Sequence, residues 1–143
     1  MIQRIQTIWL ILAASAGAAM YKLPLWKGKL ADGTFRYFSG SENLLLFITI
    51  IVTTLIALFT IFMFKDRRSQ KSLCILGILL SFAILAMEFF MVDGLKKAAA
   101  FPFQSNYWQI GAVIPIVMTV FFSMARSGIR KDEKMLRDLE KLR

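Results

Sequence analysis

The stretch that decides the fold is residues 44–64, LLLFITIIVTTLIALFTIFMF, in which no side chain carries a charge. A helix of this length is about 30 Å long, because each residue adds about 1.5 Å, and this matches the hydrocarbon thickness of a bilayer. The apolar residues are continuous and do not alternate with polar ones as they do in a membrane β-strand. The stretch therefore predicts a transmembrane α-helix.

Three further apolar stretches, residues 5–25, 73–92 and 108–125, complete the pattern. A span needs about 17–25 residues, so the first two are long enough and the third is at the short end. The first follows Arg4 in the manner of a secretory signal, but its apolar run is long enough to predict a retained helix. The predicted fold class is an all-α membrane protein, a four-helix transmembrane bundle over residues 1–125.

The composition argues against several kinds of catalytic and metal-binding site. The chain has no His and a single Cys, which excludes Ser-His and Cys-His catalysis and argues against a structural zinc site. The net charge of +9 would indicate nucleic acid in a soluble protein, but with 57% hydrophobic residues it is better explained by membrane topology. We expect no catalytic residue, no metal, no cofactor and no nucleic-acid partner.

The Lys and Arg residues are divided unequally between the two ends of the predicted bundle. Twelve lie in the N-terminus, in a loop at residues 65–71 and in the tail after Ala125, and six lie on the other side. Basic residues are retained in the cytoplasm. We therefore expect a multi-pass membrane protein with both termini cytoplasmic, in which residues 126–143 form a cytoplasmic C-terminal helix.

The connection between the first two spans has the composition of a short extra-cytoplasmic β-hairpin. Residues 23–30 and 34–38 are strand-like, and Asp32-Gly33 between them is a turn signal. An irregular loop is the alternative. The polar residues 39–43 that follow can cap the second helix. Aromatic residues mark this boundary and are predicted to lie in the headgroup layer: Tyr21, Trp26, Tyr107 and Trp108.

Glu88 is the one acidic residue inside a predicted span. A carboxylate costs free energy in lipid, so such a residue is a candidate for a functional role or for an ion pair. Glu88 lies four residues before Val92, at the outer end of its span, and Lys22 lies at a similar depth on the first span. A structural ion pair between Lys22 and Glu88 is the first interpretation. An ion or proton pathway and a contact with a partner are the alternatives.

Two local features predict how the helices pack. Pro115 falls inside the fourth predicted span, where proline removes a hydrogen bond and usually bends the helix. A simple kink is expected there, with a broken helix lining a transport site as the alternative. Small residues four apart, such as Gly77 and Ser81, predict close contact between helices.

The tail has the pattern of an amphipathic helix. Its apolar side chains share one face at helical spacing, and charged residues occupy the other faces. An isolated helix of this length is only marginally stable in water, so its apolar face must pack against another surface. We predict a protein partner, with anionic lipid as the alternative. The candidate partner-binding residues are Met135, Leu136, Leu139 and Leu142.

The two ends of the chain carry a family resemblance. The opening MIQRIQT, residues 1–7, and the tail stretch IRKDEK, residues 129–134, resemble a family of small four-span membrane proteins of Bacteroidota. The resemblance covers essentially the whole chain, although the spans between the two motifs are generic. It implies the inner membrane of a Gram-negative cell. The family is a domain of unknown function, so the resemblance implies no activity and no site residues.

The predicted function is a non-enzymatic accessory or scaffolding subunit of a larger inner-membrane complex. Protein export and envelope biogenesis are candidate settings, and the expected partners are membrane lipid and other inner-membrane proteins. A small oligomeric transporter or channel is the alternative, and it needs polar groups that converge at mid-membrane, where threonines are the polar residues. A membrane enzyme ranks third, with an outer-surface group of Glu88, Asp93, Lys96 and Lys97.

Overall fold

The computed structural model describes residues 2–30, 32–63, 66–98 and 105–141. Four α-helices are antiparallel to their neighbours, each packing on the next, and the last helix closes the ring against the first. The elements in chain order are α1 (Ile2–Met20), β1 (Pro24–Lys29), β2 (Phe35–Ser39), α2 (Leu44–Phe62), α3 (Arg67–Ala98), β3 (Ser105–Trp108), a 3₁₀ turn (Ile110–Val113) and α4 (Ile114–Lys141).

This arrangement has two unlike ends. The sheet end carries β1, β2 and β3. The loop end, opposite to it, carries the α2–α3 connection, the start of α1 and the end of α4. Between the two ends, large apolar side chains from all four helices fill the interior: Leu10, Leu46, Ile84, Met118 and Phe122.

Within the described residues, three helices are long and apolar enough to cross a membrane: Leu44–Phe62, Arg67–Lys97 and Ile110–Asp138. The apolar part of α1, Ile5–Met20, is shorter. Large apolar side chains such as Phe62 point outward and are exposed, which is ordinary for a surface in lipid and rare for one in water. The predicted helical membrane class is confirmed to this extent.

Two of the predicted spans have different bounds in the structure. The first ends at Met20 rather than residue 25, because Pro24 starts β1 and a proline disfavours helical geometry in the residue before it. The third begins earlier, because the Asp66 carboxylate accepts hydrogen bonds from the backbone of Arg68 and Ser69 and caps α3. Most of the predicted loop at 65–71 is therefore helical.

The fourth helix also departs from prediction. Pro115 is in the first turn of α4, where a missing backbone N–H costs no helical hydrogen bond, so the expected kink in mid-span is wrong. At its other end α4 runs without a break across the predicted boundary at residue 125. Beyond that boundary Ile129 and Asp132 are buried against the bundle.

The predicted hairpin is confirmed and is part of a larger sheet. The central strand β1 pairs antiparallel with β2 on one side and with β3 on the other. Gly33 in the β1–β2 turn has φ 86°, which glycine adopts without strain. The Asp32 carboxylate accepts hydrogen bonds from the Thr34 hydroxyl and backbone, which lowers the pKa of Asp32.

The aromatic residues of this end divide between the interior and the surface. Trp26 is opposite Phe38 and Trp108 in the sheet and is 0% exposed, so its ring packs inside the sheet end, and its place in the headgroup layer stays a prediction. Tyr21, Tyr107 and Trp108 are exposed. Asn43 caps α2 by accepting from the backbone of Leu45 and Leu46, as the polar stretch 39–43 predicts.

Candidate functional site

Glu88 is on the buried side of α3 near the sheet end, with Ile84 and Val92 one turn to either side. Its side chain is 1% exposed, and its Oε1 atom has no hydrogen-bond partner among the described residues. Lys22 is exposed, and none of the ion pairs among the described residues joins it to Glu88. The predicted ion pair is therefore corrected. Since α1 ends at Met20, Lys22 belongs to the turn after the helix and not to a helical position level with Glu88.

Among the described residues, the other polar side chains of the core do not form a relay that leads from Glu88. The Thr53 hydroxyl donates to the Thr49 carbonyl oxygen at 2.7 Å, and the Ser81 hydroxyl donates to the Gly77 carbonyl oxygen at 2.8 Å. Hydroxyls that bond within their own helix are already satisfied. At the sheet end, Asp93 binds Lys97 on the surface at 2.7 Å.

A second polar cluster, which the sequence analysis missed, joins three helices at the loop end. The Gln6 side chain of α1 donates to Asp132 Oδ2 of α4 at 2.6 Å. Arg67 of α3 approaches the same oxygen at 3.8 Å, an ion-pair distance that is too long for a hydrogen bond. Gln6 and Asp132 belong to the stretches 1–7 and 129–134 that carry the family resemblance. Their contact gives a physical reason for the two motifs to occur together.

The same end holds a second set of polar contacts. Lys71 of α3 donates to Glu133 of α4, and Arg137 binds the other oxygen of Glu133 at 2.9 Å. The buried Gln70 side chain donates to the Thr60 carbonyl oxygen at 3.1 Å, which ties α3 to the end of α2. Of these contacts, the Lys71–Glu133 pair holds this part of α4 against α3.

The predicted partner-binding row is only partly within the described residues. Met135 and Leu136 lie just past the cluster and are 43% and 46% exposed. Leu139 is in α4, but its side chain is outside the described residues, and Leu142 lies outside them altogether. The described part of the row is thus an exposed apolar pair on a helix held by polar contacts.

Two further features bear on ligand binding. An open apolar cleft of about 360 Å³ lies between α1 and α2, lined by Gly17, Tyr21, Phe47 and Thr54 among others. Within the described part of the chain, no group of three or more Cys, Asp or Glu side chains is close enough to hold a metal ion. Cys74 is buried and is a free thiol.

Comparison with known proteins places the chain in a family but assigns it no chemistry. No curated protein and no solved structure matches the chain. A family described as a domain of unknown function, DUF4293, matches residues 2–142, nearly the whole sequence. The match includes both stretches that meet at Gln6 and Asp132. The chain therefore belongs to the DUF4293 family.

Proposed function

We propose that this protein is a non-enzymatic accessory or scaffolding subunit of a larger inner-membrane complex. In this proposal all four helices span the membrane, α1 included, because α1 packs between α2 and α4 and its apolar part ends level with the sheet. The loop end is cytoplasmic together with both termini, because twelve of the 18 Lys and Arg residues occur in the sequence before the first predicted span, at residues 65–71 and after Ala125. Protein export and envelope biogenesis remain the candidate settings.

One observation carries the proposal: an exposed apolar pair on an anchored helix. At 1.5 Å per residue, the 28 residues of α4 make a helix of about 42 Å, longer than the roughly 30 Å hydrocarbon layer. The end of α4 therefore extends past the layer, and the contacts of Asp132 and Glu133 fix its direction. Met135 and Leu136 are then presented in a defined orientation, which favours docking of a partner.

The direct test is co-purification in a mild detergent. Leu136→Asp places a charge in the apolar face, so it should release a partner that wild-type protein retains. Ser127→Asp introduces the same charge at an exposed position nine residues before Leu136, on the opposite side of the helix, so it serves as the matched control and should retain the partner. Equal retention by all three proteins would mean that this face of α4 is solvated and would end the proposal.

The proposed orientation has its own test. In a Cys74→Ala background, a cysteine at Ser41 of the sheet end should react with a membrane-impermeant thiol reagent in intact spheroplasts. A cysteine at Ser69 of the loop end should react only after lysis. The reverse pattern would place the loop end outside the cytoplasm.

A small oligomeric transporter or channel is the second candidate, and Glu88 is the observation that favours it. A fully buried carboxyl group with an unpartnered oxygen is costly and is often kept for function. In reconstituted liposomes, ion or proton flux that is present in wild type and lost in Glu88→Gln would support this candidate. Flux that is absent, or unaffected by the substitution, would remove it.

A further inference from the structure

A groove on the surface of α4 at the loop end, beside α3, is rich in basic residues. On the α4 side that faces α3, Phe122 packs on Gly77 and, three turns later, Glu133 binds Lys71. Arg126 lies between these two contacts on the same side. Next to them is an open cleft of about 290 Å³, lined by five residues of α4, three basic and two acidic: Arg130, Glu133, Lys134, Arg137 and Asp138.

The positive charge of this groove is only partly neutralised. Glu133 is shared by Lys71 and Arg137. Among the described residues, no carboxylate lies within 4.0 Å of Arg126, Arg130 or Lys134. The Nε atom of Arg126 is buried and has no hydrogen-bond partner in the same part of the chain. A buried guanidinium N–H without an acceptor is costly, so the groove is short of an anion.

We propose that this basic groove binds the phosphate-bearing headgroup of an anionic phospholipid. Arg and Lys are the side chains that bind phosphate oxygens most effectively. Arg126 is the first charged residue after the apolar part of α4, which puts the groove at the level of the headgroups. Above it, exposed apolar side chains of α3 and α4 such as Leu76 and Val120 provide a surface for acyl chains. A lipid can contact both the basic groove and this apolar surface, whereas free phosphate can contact only the groove.

The proposal differs from the general attraction of basic residues to membranes. Lys131 and Lys134 are both exposed lysines of α4, three residues apart, but only Lys134 lines the cleft. If the attraction is general, the two lysines should contribute equally to lipid binding. If there is a headgroup site, binding should depend on Lys134 and not on Lys131. The site requires membrane insertion but not a partner at Met135 and Leu136, which do not line the cleft, so the two proposals can fail separately.

The test measures lipid binding to the purified full-length protein in a mild detergent by native mass spectrometry. Phosphatidylglycerol should bind in preference to zwitterionic phosphatidylcholine. Arg130→Gln combined with Lys134→Gln should lower the affinity by about tenfold or more, since each basic residue near an anionic headgroup adds measurably to binding. Lys134→Gln alone should lower it in part, and Lys131→Gln should leave it unchanged.

Three results would overturn the proposal. The first is an equal loss for Lys131→Gln and Lys134→Gln, which indicates diffuse attraction. The second is a lack of preference for phosphatidylglycerol. The third is displacement of the lipid by excess inorganic phosphate, which indicates a site for a soluble anion. Because the substituted side chains are exposed, thermal unfolding of each variant in detergent should match wild type, and this confirms that lost binding is not lost folding.

Discussion

The two ends of the bundle are stabilised by different interactions. At the sheet end, Trp26 and Phe38 are buried with other apolar side chains, and Glu88 is beneath them with an unpartnered oxygen. At the loop end, the buried polar groups of Gln6 and Gln70 bond to other helices. Apolar burial does not titrate and is not weakened by electrostatic screening, whereas exposed ion pairs depend on both pH and ionic strength. The difference makes the sheet end a closed apolar cap and the loop end the charged end, where we propose that a partner docks.

The largest expected effect is at the sheet end. Trp26→Ala should lower the free energy of unfolding by about 3–5 kcal/mol, because it removes a fully buried ring and leaves a cavity. Trp108, its neighbour across the β1–β3 pair, is about half exposed, so Trp108→Ala is the matched control and should cost much less. Thermal and denaturant unfolding in detergent measures both. Similar losses for the two variants would show that Trp26 is not part of the core.

The next two substitutions, one at each end, should change the free energy of unfolding in opposite directions. Glu88→Met should raise the free energy of unfolding by about 1–3 kcal/mol, because an apolar side chain of similar size removes an unsatisfied buried carboxyl group. Glu133→Met should instead lower it, since Lys71 and Arg137 both lose their partner. The same unfolding measurement compares them. A destabilised Glu88→Met would mean that Glu88 has a stabilising contact.

A smaller effect is confined to the loop end. Lys71→Glu and Glu133→Lys should each lower the melting temperature, and the double variant should recover part of the loss because the pair is restored with its charges exchanged. The recovery should shrink at high salt, since this pair is partly exposed. A double variant whose loss equals the sum of the single losses would show that the two residues do not interact.

The smallest expected loss of stability comes from removing the N-terminal caps of α2 and α3. Hydrogen bonds from the Ser69 hydroxyl and backbone lower the pKa of Asp66 at the loop end. The Asp66 cap therefore contributes in full above the unfolded pKa near 3.9 and is lost as pH falls through the folded pKa. The loss caused by Asp66→Ala should thus disappear in acid. Asn43, the cap at the sheet end, does not titrate, so the loss caused by Asn43→Ala should persist. Parallel pH profiles for the two variants would contradict this assignment.

Local signals in the sequence predict local structure well. The uncharged stretch 44–64 predicts α2 almost to its ends, Asp32-Gly33 predicts the hairpin turn, and the polar stretch 39–43 predicts the cap at Asn43. Each of these features depends on residues close together in the chain. The resemblance drawn from residues 1–7 and 129–134 is confirmed as membership of a family of unknown function.

Features that depend on distant residues are harder to predict. Strand β3 forms because Ser105–Trp108 pairs with β1, about 80 residues earlier, and its four residues are too short to show a pattern of their own. The pairing of Lys22 with Glu88 assumes a first helix that continues to residue 25, and Pro24 prevents this. Contact between Gln6 and Asp132, 126 positions apart, requires the bundle itself.

The most direct test of the central claim, that the end of α4 docks a partner, is photocrosslinking in cells. A photoreactive amino acid at Leu136 should give one discrete adduct of higher mass, and the same amino acid at Ser41, exposed at the sheet end, should not give that adduct. The adduct should also weaken when Met135 is changed to Asp, because the charge breaks the same apolar face. No adduct at Leu136, or the same adducts at both positions, would contradict the claim.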